Sequence, residues 1–205
     1  MRSCPSCAFE KIDQICYYQN EYYLHACQSC GMRFLDAPDA AQEAFDRYYG
    51  GADTSGDLQG TDTVNRLTAL AAILPIEGKG LDIGGKWSQL QYIHPWLDTL
   101  NAGEVVSGMY DYFVLSHTLE HVYDVDRLMT VIKKHSNPGA KIFIEIPFWK
   151  DYNAPGYDFY WQHINKFRSG DVERLLHRFG YVDVVGMELE PFQSFHCYRV
   201  TGALP

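Results

Sequence analysis

Apolar and polar residues alternate along this chain in two distinct periods, and the switches between them outline the elements. Ile12 to Leu24 is rich in Ile and Tyr and predicts a hairpin turning near Gln19-Asn20-Glu21. Asp39 to Tyr49 predicts a helix ending at Gly50-Gly51, and the polar, glycine-rich stretch 50–60 predicts a loop. Val64, Leu67, Leu70, Ala71 and Leu74 recur at helical spacing, so Thr61 to Leu74 predicts a helix stopped by Pro75. Gly80-Leu-Asp-Ile-Gly-Gly85 predicts a short strand running into a glycine turn, and Tyr112 to Leu115 a second strand. The periodic stretch Val125, Leu128, Met129, Ile132 predicts a helix over Asp126 to His135. A turn at Asn137-Pro-Gly139, a third strand at Lys141 to Ile146 and a helix at Asp171 to Phe179, closed by Gly180, follow. Tyr181 to Leu189 and Ser194 to Val200 predict a final antiparallel pair. Strands alternating with helices imply an α/β fold whose parallel sheet is covered on both faces.

Bulk properties narrow the classes. A chain of 205 residues is long enough for one sizeable core and a small appendage. No apolar run reaches the roughly 18 residues that span a bilayer, and the start of the sequence lacks a signal-peptide apolar region. A cytoplasmic protein without membrane partners is expected. The net charge of −9, with no Lys/Arg cluster against it, argues against nucleic acid as a partner. Fifteen tyrosines suit the walls of a site for a planar or sugar ligand, and equally a tyrosine-rich core.

Cysteine placement is more specific. Cys4-Pro-Ser-Cys7 and Cys27-Gln-Ser-Cys30-Gly31 are two C-x-x-C knuckles with nineteen residues between them, the predicted hairpin among these. Four thiolates at this spacing can close a tetrahedral zinc site, and Gly31 supplies the tight backbone of a knuckle. Two disulfides or redox thiols are the competing readings; the absent secretion signal and strand-helix context favour a zinc ribbon. A site closed by four thiolates is structural, since no position is left for a substrate. Cys16 and Cys197 fall outside the pattern and are expected to be inert buried thiols.

His117-Thr-Leu-Glu120-His121 matches the H-x-x-E-H pattern of certain zinc proteases, which requires a helix interior. Here the strand formers Tyr112 to Leu115 precede it, and acidic cap residues of the next helix follow it. A strand-to-helix connection is expected instead, and a metalloprotease is set aside.

The order Leu81-Asp-Ile-Gly84, Tyr112 to Val122 (YFVLSHTLEHV), Pro138 to Glu145 and His163-Ile-Asn-Lys-Phe167 resembles the class I S-adenosylmethionine (SAM)-dependent methyltransferases. It looks closest to the branch with an N-terminal zinc ribbon that includes sugar C-methyltransferases and their O-methylating relatives. Pro38 and the Tyr48-Tyr49 pair also fit that branch, so the resemblance covers nearly the whole chain. It implies a zinc ribbon over 1–36 (ligands Cys4, Cys7, Cys27, Cys30), a helical linker region over 37–75 and a Rossmann-like methyltransferase domain over 76–205. It also implies a SAM site at Asp82, Gly84, Gly85, Ser116 and His117, with no metal at 117–121. The acceptor would be a small polar molecule, a nucleotide-linked sugar by the resemblance.

Two departures bear on the cofactor. Lys86 and Ser88 stand where the family loop D-x-G-x-G-x-G has its second and third glycines. The interval from Ile83 to Tyr112 is short for two βα units. Either Trp87 to Leu97 is the first helix and Asp98 the ribose acid, or that unit is lost and Asp98 matches the acid near the adenine. His163 matches the family's Y-x-E-H histidine and Gln162 replaces its glutamate, which favours oxygen over carbon methylation. His163, then His121 and Glu120, are the candidate catalytic bases. Two functions remain compatible: a methyltransferase, or a degenerate zinc-binding scaffold that binds a partner without catalysis.

Overall fold

The computed structural model describes residues 2–17, 23–36, 68–75, 77–84, 97–100, 106–147, 163–189 and 197–205, with only the backbone path given for 16, 17 and 97–100. The predicted helix over Asp39 to Tyr49, the loop 50–60 and residues Gly85, Lys86, Ser88, Tyr160 and Gln162 lie outside them.

The predicted hairpin is β1 (Ile12–Tyr17) against β2 (Tyr23–Cys27), with Ile12 opposite Cys27. Two strands that the pattern did not announce extend it: β3 (Arg33–Leu35) and β8 (Asn165–Lys166). The resulting sheet runs β1-β2-β3-β8, antiparallel throughout. Strands as short as these give no period of their own, which is why they escape a sequence reading.

The second sheet has the order β5-β4-β6-β7-β10-β9, built from β4 (Gly80–Ile83), β5 (Leu97–Leu100), β6 (Tyr110–Ser116), β7 (Ser136–Pro147), β9 (Val182–Glu188) and β10 (Cys197–Ala203). The first four are parallel neighbours, while β10 runs antiparallel between β7 and β9. All four residues of β4 are buried, as expected of a strand covered on both faces. Side chains of the central strands divide by the two-residue period. Phe113, Leu115, Ile142, Ile144 and Ile146 share a core with Met129, Ile132, Leu175 and Leu176. Tyr112, Val114 and Phe143 face the other way, against Leu70, Ala71 and Leu74 beside the helical turn at 68–71.

Helix α1 (Val125–Lys134) begins where Asp124 accepts a hydrogen bond from the Arg127 amide at 2.9 Å, and it buries Val125, Met129 and Ile132. Helix α2 (Asp171–Arg178) ends through Gly180 at φ 86, with the Tyr181 amide donating to the Leu176 carbonyl at 3.0 Å.

Three expectations are corrected. Asn137-Pro-Gly139 is not a turn before a strand but part of β7, where the register with β6 jumps from Tyr110–Ser136 to Tyr112–Lys141. The extra residues bulge, and Gly139 at φ 75 supplies the backbone for it. Leu97 opens a strand and does not end a helix, so the interval after β4 keeps a second parallel strand. The last strand runs to Ala203, three residues beyond the predicted end at Val200, because β7 offers it pairing down to Lys141.

Candidate active site

In a parallel sheet the ligand site lies beyond the carboxyl ends of the strands, where neighbouring connections leave in opposite directions. That edge is formed here by Ile83-Gly84 after β4, Ser116-His117 after β6 and Pro147 at the end of β7. Asp82 is 1% exposed, and Gly84 takes φ 78, a conformation that side chains disfavour. Thr118 Oγ1 donates to the Ile83 carbonyl at 3.0 Å and so fixes the end of β6 against the end of β4. Asp98 pairs opposite Leu81 on β5, one residue further from the edge than Asp82.

His117 leaves β6 at φ 52, a strained value for a side-chain-bearing residue, while its amide still donates to the Glu145 carbonyl at 2.8 Å. Leu119–His121 then form a single 3-10 turn, not the α-helix interior a zinc protease needs. Glu120 is completely buried, and among the described residues neither carboxylate oxygen receives a hydrogen bond. Its Oε1 has His117 Nδ1 at 3.5 Å and His121 Nε2 at 3.9 Å. Burial pushes the Glu120 carboxyl up, but the contact with His117 and the charges of His121 and His163 outweigh it, so the group stays below the usual carboxylate range. The rings of His121 and His163 meet edge to face with centroids 4.8 Å apart. One donor atom each from Glu120, His121 and His163 lie within 4.8 Å of one another.

A second buried carboxylate stands behind this group. Glu145 accepts from Arg199 Nη2 at 2.7 Å and Nε at 3.1 Å, so its charge is matched within the core. His117 bridges the two acids, with Nε2 3.8 Å from Glu145 Oε1 and 3.8 Å from the Cys197 sulfur. Cys197 is buried as expected but neighbours the site rather than lying apart from it.

The cysteines form a separate cluster. Sulfur separations are 3.5 Å for Cys4–Cys30 and 3.6 Å for Cys7–Cys27 and Cys7–Cys30. Zinc–sulfur bonds of about 2.3 Å in a tetrahedron put sulfurs about 3.8 Å apart, so the four residues fit that ion. The contact with Cys4 pulls the Cys30 thiol down to about 4 and pushes Cys4 up, because sulfurs this close cannot all ionise without a cation among them.

Asn165, two residues after His163, joins the two clusters. Its amide nitrogen donates to the Leu119 and Val122 carbonyls at 2.9 and 2.8 Å, gripping the turn that carries Glu120 and His121. Its oxygen accepts from Arg2 at 2.9 Å, and Arg2 also donates to the Leu35 carbonyl. Arg2 sits between the Phe34 and Tyr123 rings, and burial lowers its pKa to about 10. Backbone pairing of Phe34 with Asn165, and of the Leu35 amide with the Ile164 carbonyl, holds the chain just after His163 to the cysteine-bearing sheet. Nothing in the spacing of Arg2, Asn165, Glu145 or Arg199 announces these roles, since each partner comes from a distant segment.

The family model described as a methyltransferase domain matches residues 39–185. No curated protein sequence matches the chain. Among solved structures, a SAM-dependent methyltransferase of Thermotoga maritima, described as a possible histamine N-methyltransferase, superposes with a TM-score of 0.59 at 14% identity. That match covers 80% of this chain and 99% of the other. A 1,6-didemethyltoxoflavin N1-methyltransferase of Burkholderia thailandensis, bound to its substrate and S-adenosylhomocysteine, gives 0.58 at 14% identity over 94% and 99% of the two chains. An N-methyltransferase of Bradyrhizobium japonicum, bound to S-adenosylhomocysteine, gives 0.54 at 12% identity over 82% and 100%. Among the described residues no helix is long and apolar enough to cross a membrane. With the parallel strands, the carboxyl edge they share and a family match over most of its length, the chain belongs to the methyltransferase-domain family.

Proposed function

We propose that the protein transfers the methyl group of SAM to a hydroxyl of a small polar acceptor, a nucleotide-linked sugar being the favoured class. The observation that carries this reading is the buried Glu120 beside His121 and His163, at the sheet edge that also holds Asp82 and Gly84. SAM would lie over Gly84 and Gly85, with Asp82 orienting the loop, Asp98 on the adjacent strand as the candidate ribose acid, and Ser116 and His117 bordering the methyl donor. The acceptor oxygen attacks the sulfonium methyl carbon in line. The carbon–sulfur bond breaks with its electron pair going to sulfur, and S-adenosylhomocysteine leaves. The acceptor's proton is taken within the Glu120–His121–His163 group, His163 first, because that ring is only half-buried and packs against His121.

The cysteine cluster would hold one structural zinc ion through Cys4, Cys7, Cys27 and Cys30. Its role is positional: the sheet it closes pairs directly with the strand that follows His163.

Titration calorimetry with SAM tests the cofactor reading. Saturable binding by the parent chain, abolished by Gly84→Val, is expected; no heat from the parent chain would return the protein to the class of non-catalytic scaffolds. For the base, His163→Ala should lower turnover while leaving SAM affinity unchanged. Full turnover in His163→Ala with loss in His121→Ala would move the base to the 3-10 turn.

A further inference from the structure

The strand-to-turn setting of residues 117–121 rules out a metal held by two histidines of one helix. It leaves open a ligand arriving from elsewhere in the fold, and His163 arrives there. Glu120, His121 and His163 each offer one donor atom, all within 4.8 Å of one another. Glu120 is fully buried, and among the described residues its carboxylate oxygens receive no hydrogen bond. Among the described residues, an arginine, Arg199, pairs with the neighbouring buried acid Glu145, and none pairs with Glu120. A buried carboxylate held this way is stabilised by a cation lodged against it.

We propose that Glu120, His121 and His163 bind one divalent transition-metal ion, and that this ion holds the acceptor hydroxyl for methylation. Two imidazoles with one carboxylate suit zinc and its first-row neighbours rather than magnesium or calcium, which prefer all-oxygen shells. Bound at about 2.1 Å, the donors would draw together by roughly an ångström, which the half-buried His163 ring can supply. Three protein ligands leave positions open, the arrangement of a catalytic rather than a structural ion. Arg2 and Asn165 then act behind the ligands: Asn165 fixes the carbonyls on both sides of the Glu120–His121 pair, and its backbone anchors the chain just after His163.

The inference rests on the proposed methyl transfer for its reaction and sharpens the role of the same residues. Coordination to the ion acidifies the acceptor hydroxyl, whose proton passes to water on the open side of the site. The resulting alkoxide attacks the methyl carbon of SAM, and His163 serves as a ligand rather than as the proton's first acceptor.

Cobalt(II) added to the full chain, carrying its cysteine-bound zinc, is the probe. One further equivalent should bind, with weak visible bands of nitrogen and oxygen ligation and without intense thiolate-to-cobalt absorption. Glu120→Gln and His163→Ala should each weaken that equivalent by more than the ~10–100-fold of an outer-shell change, with the zinc content of the cysteine site unchanged. His163→Ala alters only a half-buried ring, so it keeps the test interpretable should the buried Glu120→Gln fail to fold. Cobalt taken up only by thiolates, or a second equivalent indifferent to His163→Ala, overturns the inference. SAM binding without a second metal defeats the metal site alone. A second metal without SAM binding defeats the methyl-transfer reading alone.

Discussion

The two clusters of metal-competent side chains in this molecule are built in opposite ways. The cysteine cluster is assembled from two tight knuckles at the ends of one small antiparallel sheet, and four sulfurs close around a point. Its donors are all alike, and they leave no open side. The Glu120 cluster draws two donors from a 3-10 turn after β6 and a third from the segment entering β8, with three donors of two chemical kinds. A closed shell can only hold the fold together, while a shell with open positions can meet a substrate. The first cluster nonetheless governs the second, because the strand β3 beside the knuckles pairs with β8 just after His163.

The largest effect expected from breaking this pairing of roles is that of Cys27→Ser. A structural four-thiolate zinc site contributes on the order of 10 kcal/mol of folding free energy in a module with no core of its own. Cys27→Ser should therefore release zinc, melt residues 1–36 and raise hydrogen exchange at Asn165 and Lys166 as well. Metal analysis and exchange mass spectrometry check this; metal-free protein with unchanged melting would end the ribbon reading.

Next comes the cofactor edge. Gly84 adopts φ 78 in the turn proposed to admit SAM, so Gly84→Val should cut SAM affinity by roughly a hundredfold or more, about 3 kcal/mol, through strain and lost space. Calorimetry on a variant that keeps its zinc and its melting temperature isolates the effect to the open region. Wild-type affinity in Gly84→Val would mean that SAM does not lie against this turn.

His163→Ala strikes the open cluster alone. Turnover should fall about a hundredfold, the lower range for loss of a group handling the acceptor's proton, with the zinc of the cysteine site and SAM affinity unchanged. A comparable loss of SAM affinity would show that the ring supports the cofactor instead.

Asn165→Ala tests the link between the clusters. Two carbonyls and Arg2 lose a partner in a buried setting, which costs about 1–3 kcal/mol. Turnover should fall with the cysteine zinc retained, and unchanged turnover in a destabilised protein would mean that the turn holds its shape without the clamp. The smallest effect is expected from Thr118→Val, which removes one buried hydrogen bond to the Ile83 carbonyl and should cost about 1 kcal/mol by denaturant unfolding. No change would show that β4 and β6 do not rely on it.

Sequence legibility divides along the same line as the clusters. Local patterns carried the cysteine cluster, the hairpin, both described helices and three of the parallel strands, because in each the interacting residues are neighbours or share a short period. The bulge at Asn137–Gly139 was hidden, since the same residues serve a turn or a wide bulge and only the register with β6 selects between them. Strands β3 and β8 were hidden because three and two residues show no alternation.

For the candidate site, the sequence by itself determined the chemical inventory: Asp82 and Gly84 after one strand, His117, Glu120 and His121 after another, His163 downstream. What it could not determine is that His163 packs on His121, that Arg199 pairs with Glu145 and, among the described residues, no arginine or lysine pairs with Glu120, or that Arg2 and Asn165 fasten the group to the cysteine-bearing sheet. Those contacts join segments separated by much of the chain. Their energies depend on burial and on which strands lie side by side, and these are decided only when the two sheets come together.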